Sequence, residues 1–356
     1  MSLKDQVKKY VEELEPKLAT MTQDNIKFAV LGDSDGDSCL FNSLLATVWG
    51  SPSTVVNWPL MAVLMCQGTN GMFYRSPRRR ACNNEGFGGT YFSRDMATGV
   101  IAAATLTGFP ARWWDEWLAY IDRSRPCSIK KPKWLGGGCL VRSPVYYYAP
   151  DDRSAISPNC WAMMGRVAEA RSWYQQGQMK VWAGSDGDAS LVEAENCETG
   201  YQLHLKAVDA FIKLLINQSR EYSQKVGQIA WSRVPDNMFY EFLATRTIND
   251  NFISRYLDLA PPVGYRFQHH WVWEKSSVAE SMPYTCGWDF VFLGRLILKF
   301  CKGVDHLFSQ SGIYHRFPVI DPHNDQIGHR ATVFIPTIDV YGSLLSDERI
   351  CPIFGF

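Results

Sequence analysis

Apolar residues recur at helical spacing along most of the chain. Near its start, Leu3, Val7, Val11 and Leu14 lie three or four positions apart, which predicts an amphipathic first helix. The same spacing predicts helices over residues 3–20, 38–49, 57–67, 93–107, 111–122, 158–175, 200–222, 236–246, 249–258 and 287–302. The pattern therefore predicts a mainly α fold.

Several predicted helices have recognisable start and stop signals. Asp37 and Ser93 are N-cap residue types directly before a helical pattern, and Pro158 occupies a favoured first helical position. Gly50 and Gly108 follow the last residues of two patterns, where glycine commonly ends a helix. These signals predict the bounds of the helices that they flank.

Three stretches depart from helical periodicity. Residues 68–90 and 125–157 are rich in glycine, proline and arginine or tyrosine, which predicts long ordered loops. After about residue 308 the pattern predicts short strands or an extended tail. We therefore expect a helical domain over residues 1–307, with residues 308–356 packed on it as an extended or β segment.

Composition and charge exclude some classes of protein. The chain has 356 residues, of which 46% are hydrophobic, and 36 basic residues balance 36 acidic ones. Without a net positive field, neither a nucleic-acid nor a membrane partner is expected, and any binding of a polyanion must be local. The first residues have no apolar signal-peptide core, and no apolar run reaches membrane-spanning length, which predicts a soluble protein, cytoplasmic or virion-associated.

The ten cysteines show no metal-binding spacing. No C-x-x-C pair occurs, so buried free thiols are expected and no metal is predicted. Cys127 and Cys139 could form a disulfide in an oxidising compartment. The absence of Walker and dinucleotide fingerprints likewise predicts no cofactor.

The acidic loop before residue 38 suggests calcium at first sight. Asp33, Asp35 and Asp37 alternate as in the opening of an EF-hand, but Ser38 and Leu44 stand where that motif needs glycine and glutamate. Helix capping is therefore the favoured role of these acids. The tetrapeptide Ser-Asp-Gly-Asp recurs at residues 185–188, as a duplicated turn or by chance.

Carboxylates also stand at the starts of other predicted helices. If the helices alternate around a central axis, their N-terminal ends would bring these acids to one mouth, a plausible sugar cleft. Glycoside hydrolysis needs one carboxylic acid and one carboxylate across the bond. A helix start favours the ionised form, so Asp95 suits a base. The loop of Asp35 and Asp37 is crowded with acids, which favours a protonated carboxyl group and suits the proton donor. The acids concerned are Asp35, Asp37, Asp95, Asp186, Asp188 and Asp289.

Other residues could contact such a substrate. We expect Trp134 and the tyrosine run to lie near the surface and to stack on sugar rings, and Trp117 to be buried. The arginine segment at residues 75–80 would suit an anionic polysaccharide if it borders the acidic mouth. His204 is expected to be a partly buried, hydrogen-bonded histidine. The predicted substrate-binding residues are Trp134, Tyr146, Tyr147, Arg78, Arg79, Asp289 and His270.

The segments 35–45 and 93–99, with their acids at the starts of apolar helices, resemble the α/α-toroid architecture of several glycoside hydrolases and polysaccharide lyases. The resemblance implies an α/α-toroid-like helical barrel and a glycoside hydrolase that cleaves a polysaccharide or oligosaccharide, possibly anionic. For such an enzyme we expect Asp37 and Asp95 to supply the carboxylate chemistry and Asp35 to tune the first loop, which makes Asp37, Asp95 and Asp35 the candidate catalytic residues. Two alternatives stay open. One is a uronic-acid lyase, in which Arg78 or Arg79 neutralises the substrate and His270 or a tyrosine removes a proton. The other is a non-catalytic glycan-binding or virion structural protein.

Overall fold

The computed structural model describes residues 1–30, 35–49, 57–81, 92–107, 109, 111–143, 164, 194–197, 199, 201–215, 220–263 and 287–300. Within them the fold is mainly helical, as predicted. The helices are α1 (Leu3–Leu14), α2 (Ser38–Val48), α3 (Trp58–Leu64), α4 (Pro77–Ala81), α5 (Arg94–Leu106), α6 (Ala111–Arg123), α7 (Tyr201–Leu215), α8 (Arg220–Arg233), α9 (Met238–Thr245), α10 (Asp250–Leu259) and α11 (Gly287–Phe300). Two antiparallel hairpins accompany them, β1 (Thr20–Gln23) with β2 (Ile26–Ala29), and β3 (Cys127–Lys130) with β4 (Cys139–Arg142).

The first helix is shorter than the apolar pattern predicts. Ser2 and Asp5 form a capping box at its start, but a short 3₁₀ turn, Glu15–Lys17, follows Leu14. Pro16 lies in that turn and has no N–H for a helical hydrogen bond, which explains the early end. The chain then enters β1, and the prediction of a helix up to residue 20 is wrong.

Helix α2 lies at the centre of the core. It packs against α3, α5, α11 and β2. Buried Asn42 fastens it to β2, since its Oδ1 accepts from the N–H of Ala29 (3.0 Å) and its Nδ2 donates to the carbonyl of Ala29 (3.1 Å). At Gly99 the backbones of α5 and α2 approach closely, because a Cβ there would lie 3.2 Å from the Cα of Leu40. Neither contact was predicted.

Helices α7, α8 and α9 pack on one another next to α5. The predicted helix over residues 200–222 is observed as two helices, since α7 ends at Leu215 and α8 runs from Arg220 to Arg233. Gly227 lets α8 approach α9, because a Cβ at this position would lie 2.5 Å from the N of Ala244. Steric fit between helices, not local propensity, explains a glycine inside α8.

Helix α11 closes the described fold against α1 and α2. The indole N–H of Trp288 donates to the carbonyl of Ala19 (3.0 Å), and the ring of Trp288 meets that of Trp58 edge-on. The tail over residues 308–356, the end of the predicted domain at residue 307, the predicted helix 158–175 and the signals at Gly50, Gly108 and Pro158 all lie outside the described residues. No helix in the described part of the chain is long and apolar enough to cross a membrane.

Candidate functional site

Asp35 is buried, and its carboxylate binds the segment that begins α4. Its side chain is only 3% exposed. Oδ2 accepts a hydrogen bond from the Ser76 hydroxyl (2.6 Å) and lies 3.3 Å from Nε of Arg78, while Oδ1 lies 3.4 Å from Nη2 of Arg79. Ser76 also accepts from the N–H of Arg79 (3.1 Å). The charge of this buried carboxylate is thus balanced by two guanidinium groups, and a hydroxyl adds a hydrogen bond.

Asp37 makes a second contact with the same segment. It occupies the N-cap position of α2, but its side chain makes no capping hydrogen bond and instead binds Nη2 of Arg75 through Oδ1. Nε of Arg75 donates to the carbonyl of Gly36 (2.5 Å), and the carbonyl of Arg75 accepts from the N–H of Cys39 (2.8 Å). The loop that starts α2 and the segment that starts α4 are therefore joined by both charge and backbone.

We refer to Asp35, Asp37, Arg75, Ser76, Arg78 and Arg79 as the acid–arginine cluster. Among the described residues, the neighbours of the Asp35 carboxylate are guanidinium groups and a hydroxyl, and Asp33 of the same loop lies outside the described part. The arginine segment does border the loop that carries Asp35 and Asp37. Sequence spacing singled out the acids and the arginines separately, but nothing in it paired them or indicated Ser76.

Two side chains of the acid–arginine cluster reach solvent. Asp37 is 37% exposed and Arg78 is 54% exposed, whereas Asp35 is enclosed. Within the described part of the chain, Arg75 is the one side chain that binds the Asp37 carboxylate, and it does so at Oδ1. An exposed carboxylate oriented by one arginine can act as a base or nucleophile, and an exposed guanidinium can bind a carboxylate or phosphate. Asp35 can orient these groups but has no access to a substrate.

The start of α5 borders the same region. Phe92, two residues before α5, stacks on Phe73 with ring centroids 5.7 Å apart, and Phe73 lies two residues before Arg75. Asp95 lies in the first turn of α5, as predicted. The side chain of Asp95 lies outside the described part of the structure.

Asp289 lies elsewhere, in the first turn of α11. It lines a small cavity together with His204 and the apolar side chains of Phe41, Phe239 and Phe292. The space in which the centre of a water molecule can move there is about 20 Å³. That space corresponds to about one ordered water, which is too small for a sugar ring. Asp289 therefore lines a small cavity that includes no residue of the acid–arginine cluster.

His204 differs from the expectation in one respect. It is partly buried, as predicted, but its ring nitrogen Nδ1 is buried without a hydrogen-bond partner. Because burial disfavours the imidazolium, the pKa of His204 is lowered to about 4. A neutral ring beside phenylalanine side chains is the result.

Trp134 and Trp117 lie where the aromatic pattern predicts. Trp117 is fully buried, and Trp134 is 82% exposed at the end of the β3–β4 hairpin. A disulfide between Cys127 and Cys139 closes that hairpin, with Cα atoms 5.5 Å apart. Among the described cysteines, Cys39 and Cys66 are buried free thiols, as expected.

The remaining predicted site residues lie outside the described residues. These are Tyr146, Tyr147, Asp186, Asp188 and His270. The described residues include no group of three or more histidine, cysteine, aspartate or glutamate side chains arranged to hold a metal ion. No protein-family model, curated protein or solved structure gives a significant match to the chain.

Proposed function

We propose that the protein is a carbohydrate-active enzyme that hydrolyses an anionic polysaccharide at the acid–arginine cluster. The observation that carries this proposal is that one cluster presents two exposed groups of complementary use, the carboxylate of Asp37, held by Arg75, and the guanidinium of Arg78, held by Asp35. One is a group for acid–base or nucleophilic chemistry, and the other is a group that binds a substrate carboxylate.

In this proposal Asp37 acts as the carboxylate that activates water or attacks the sugar. The Arg75 contact holds Oδ1 and leaves Oδ2 for that reaction. Asp95 is proposed as the second carboxyl group of the pair that glycoside hydrolysis needs. Two contacts support the inclusion of Asp95, because they attach the starts of α2 and α5 to the same segment. The N–H of Cys39 in α2 donates to the carbonyl of Arg75, and Phe92, just before α5, stacks on Phe73.

Arg78 is proposed to select an anionic substrate. Its side chain is more exposed than that of Arg79, which is 20% exposed, so it offers more donors to a ligand. We also propose that the helices form an α/α-toroid-like barrel, with the starts of α2 and α5 at its mouth. The packing of α2 between α3, α5 and α11 supports this arrangement.

The test is a panel of acidic and neutral polysaccharides, with the release of reducing ends measured for the wild type and two arginine variants. Arg78→Ala should raise KM for acidic polysaccharides about tenfold or more, because a charge-assisted contact is lost, with a smaller effect on kcat. Arg112→Ala is the matched control, since that side chain is 55% exposed and lies on α6. Equal KM values for both variants would contradict the assignment of Arg78.

The same assay separates the competing functions. New ultraviolet absorbance from an unsaturated product would indicate a uronic-acid lyase, in which Arg78 would neutralise the substrate carboxylate. Binding of glycans without product release would overturn the enzymatic proposal in favour of a non-catalytic glycan-binding protein.

A further inference from the structure

The hairpin of β3 and β4 exposes large apolar side chains, whereas the rest of the described chain buries nearly all of its large apolar side chains. Outside this hairpin, Met1 is the one exposed large hydrophobic residue among the described residues. Patches of this kind on a protein surface commonly mark an interaction site. The exposed hairpin residues are Ile129 (51%), Trp134 (82%), Leu135 (56%), Leu140 (60%) and Val141 (45%).

The exposed side chains lie on a hairpin that is already held in shape by covalent and backbone contacts. The disulfide joins the two strands, and Ile129 pairs with Val141 across the ladder. At the tip, a 3₁₀ turn over Lys133–Leu135 ends in Gly136, with φ of +87°, a conformation that glycine adopts without strain. The turn holds Trp134 and Leu135 at the end of the hairpin, so a binding partner would meet them already ordered.

The charge of this segment has one sign. No aspartate or glutamate occurs from residue 123 to residue 150, although the whole chain is neutral. The hairpin itself carries four exposed cations. They are Lys130, Lys131, Lys133 and Arg142. We refer to residues 127–142 as the cationic hairpin, and its charge complements an anionic partner.

The combination favours a lipid surface over a polysaccharide or a second copy of the chain. Four of the five exposed apolar side chains are aliphatic, and these gain little from sugar hydroxyls, whereas sugar stacking uses aromatic faces. Two copies that met through the cationic hairpin would bring like charges together. An anionic bilayer instead accommodates tryptophan and leucine at its interface and attracts lysine to its phosphates.

We propose that the cationic hairpin docks on an anionic phospholipid surface. Trp134 and Leu135 enter the boundary between headgroups and acyl chains, while the three neighbouring lysines contact lipid phosphates. This inference replaces the sugar-stacking role predicted for Trp134 and departs from the expectation of no membrane partner, which rested on net charge alone. It does not depend on the proposed enzymatic activity.

Flotation with vesicles of phosphatidylcholine, with and without phosphatidylserine, tests the proposal on the full chain. The wild type should bind the serine-containing vesicles at least about tenfold more tightly than the neutral ones, and binding should weaken as salt is raised. Trp134→Ser combined with Leu135→Ser should reduce binding about tenfold or more, since the inserting side chains are removed. All of these positions are exposed, so circular dichroism of each variant should match that of the wild type.

The role of the hairpin lysines can be tested against a second triple variant that loses the same number of positive charges elsewhere on the surface. Replacing Lys130, Lys131 and Lys133 by glutamine should reduce vesicle binding at least about tenfold, whereas replacing Lys4, Lys8 and Lys9 of α1 by glutamine should not. Three results would overturn the proposal. They are no vesicle binding by the wild type, equal loss in both lysine variants, and retention on heparin with no binding to phosphatidylserine vesicles, which would indicate a polysaccharide site.

Discussion

The hydroxyl of Ser76 donates a 2.6 Å hydrogen bond to the carboxylate of Asp35, although the two residues are 41 positions apart in the chain. This contact joins the loop that starts α2 to the segment that starts α4, inside a buried environment. The exposed groups on either side, Asp37 and Arg78, depend on it for their relative position. The geometry of the acid–arginine cluster is therefore a question of stability as well as of chemistry.

Removal of the buried carboxylate should destabilise the protein strongly. Asp35→Ala removes the buried carboxylate that Ser76, Arg78 and Arg79 contact, and we expect the free energy of unfolding to fall by about 3 kcal/mol. Ser76→Ala should cost about 1 kcal/mol. Urea denaturation measures both. Asp122→Ala is the control, because Asp122 is 37% exposed in its pair with Arg125 and should cost under about 1 kcal/mol. Equal losses for Asp35→Ala and Asp122→Ala would contradict this account of the cluster.

Gly227 should tolerate no side chain. A Cβ there would lie 2.5 Å from the N of Ala244 and 2.6 Å from the carbonyl carbon of Leu243, so Gly227→Ala must push α8 away from α9. We expect a loss of about 1–3 kcal/mol in thermal or urea unfolding. Gln228→Ala, at the next and exposed position of the same helix, should change stability by less than about 0.5 kcal/mol. If Gly227→Ala left the free energy of unfolding unchanged, α8 and α9 would not approach as closely as described.

His204 should make the folded state sensitive to acid. Burial lowers the pKa of its imidazole to about 4, whereas the unfolded chain titrates near 6.5. Between these values the unfolded chain binds more protons, so this contribution to stability is lost as pH falls from 6.5 towards 4. The loss should reach about 2–3 kcal/mol. His204→Gln should remove this part of the pH dependence in urea unfolding measured from pH 4 to 7. An unchanged slope would show that His204 does not titrate as described.

Asp115 should make the folded state less stable as pH rises, the opposite of the effect of His204. Burial raises the pKa of its carboxyl group to about 6, from 3.8, and one of its oxygens is buried without a hydrogen-bond partner. The folded chain then binds the extra proton, so stability falls as pH rises from 4 to 6. We expect about 1 kcal/mol, since solvent reaches part of the group. Asp115→Asn should be more stable than the wild type above pH 6 and no more stable at pH 4. A constant difference across this range would count against the prediction.

The sequence predicts elements well where local signals and packing agree. The patterns around α2, α5 and α11 predict these helices to within two residues, because each has a continuous apolar pattern. The buried position of Trp117 and the exposed position of Trp134 also follow from their settings, a helical face for one and a proline-rich loop for the other. Local information is sufficient in these cases.

The parts that could not be predicted depend on contacts between distant residues. Asp37 has an ordinary capping residue type, yet its side chain binds Arg75, 38 positions away. The β1–β2 hairpin turns at Asp24 and Asn25, both with positive φ, where no apolar pattern indicates a turn. Pairing of acid with arginine is decided by the packing of α2 against its neighbours, which periodicity alone does not encode.

The most direct test of the proposed function is the rate of reducing-end release from an acidic polysaccharide by Asp37→Asn, measured beside Asp24→Asn. Both carboxylates are partly exposed and paired with arginine, so each substitution removes one such charge. We expect Asp37→Asn to lose about 100-fold or more in kcat while remaining folded, and Asp24→Asn to keep the wild-type rate. Cleavage by Asp37→Asn at the wild-type rate would contradict the assignment of chemistry to the acid–arginine cluster.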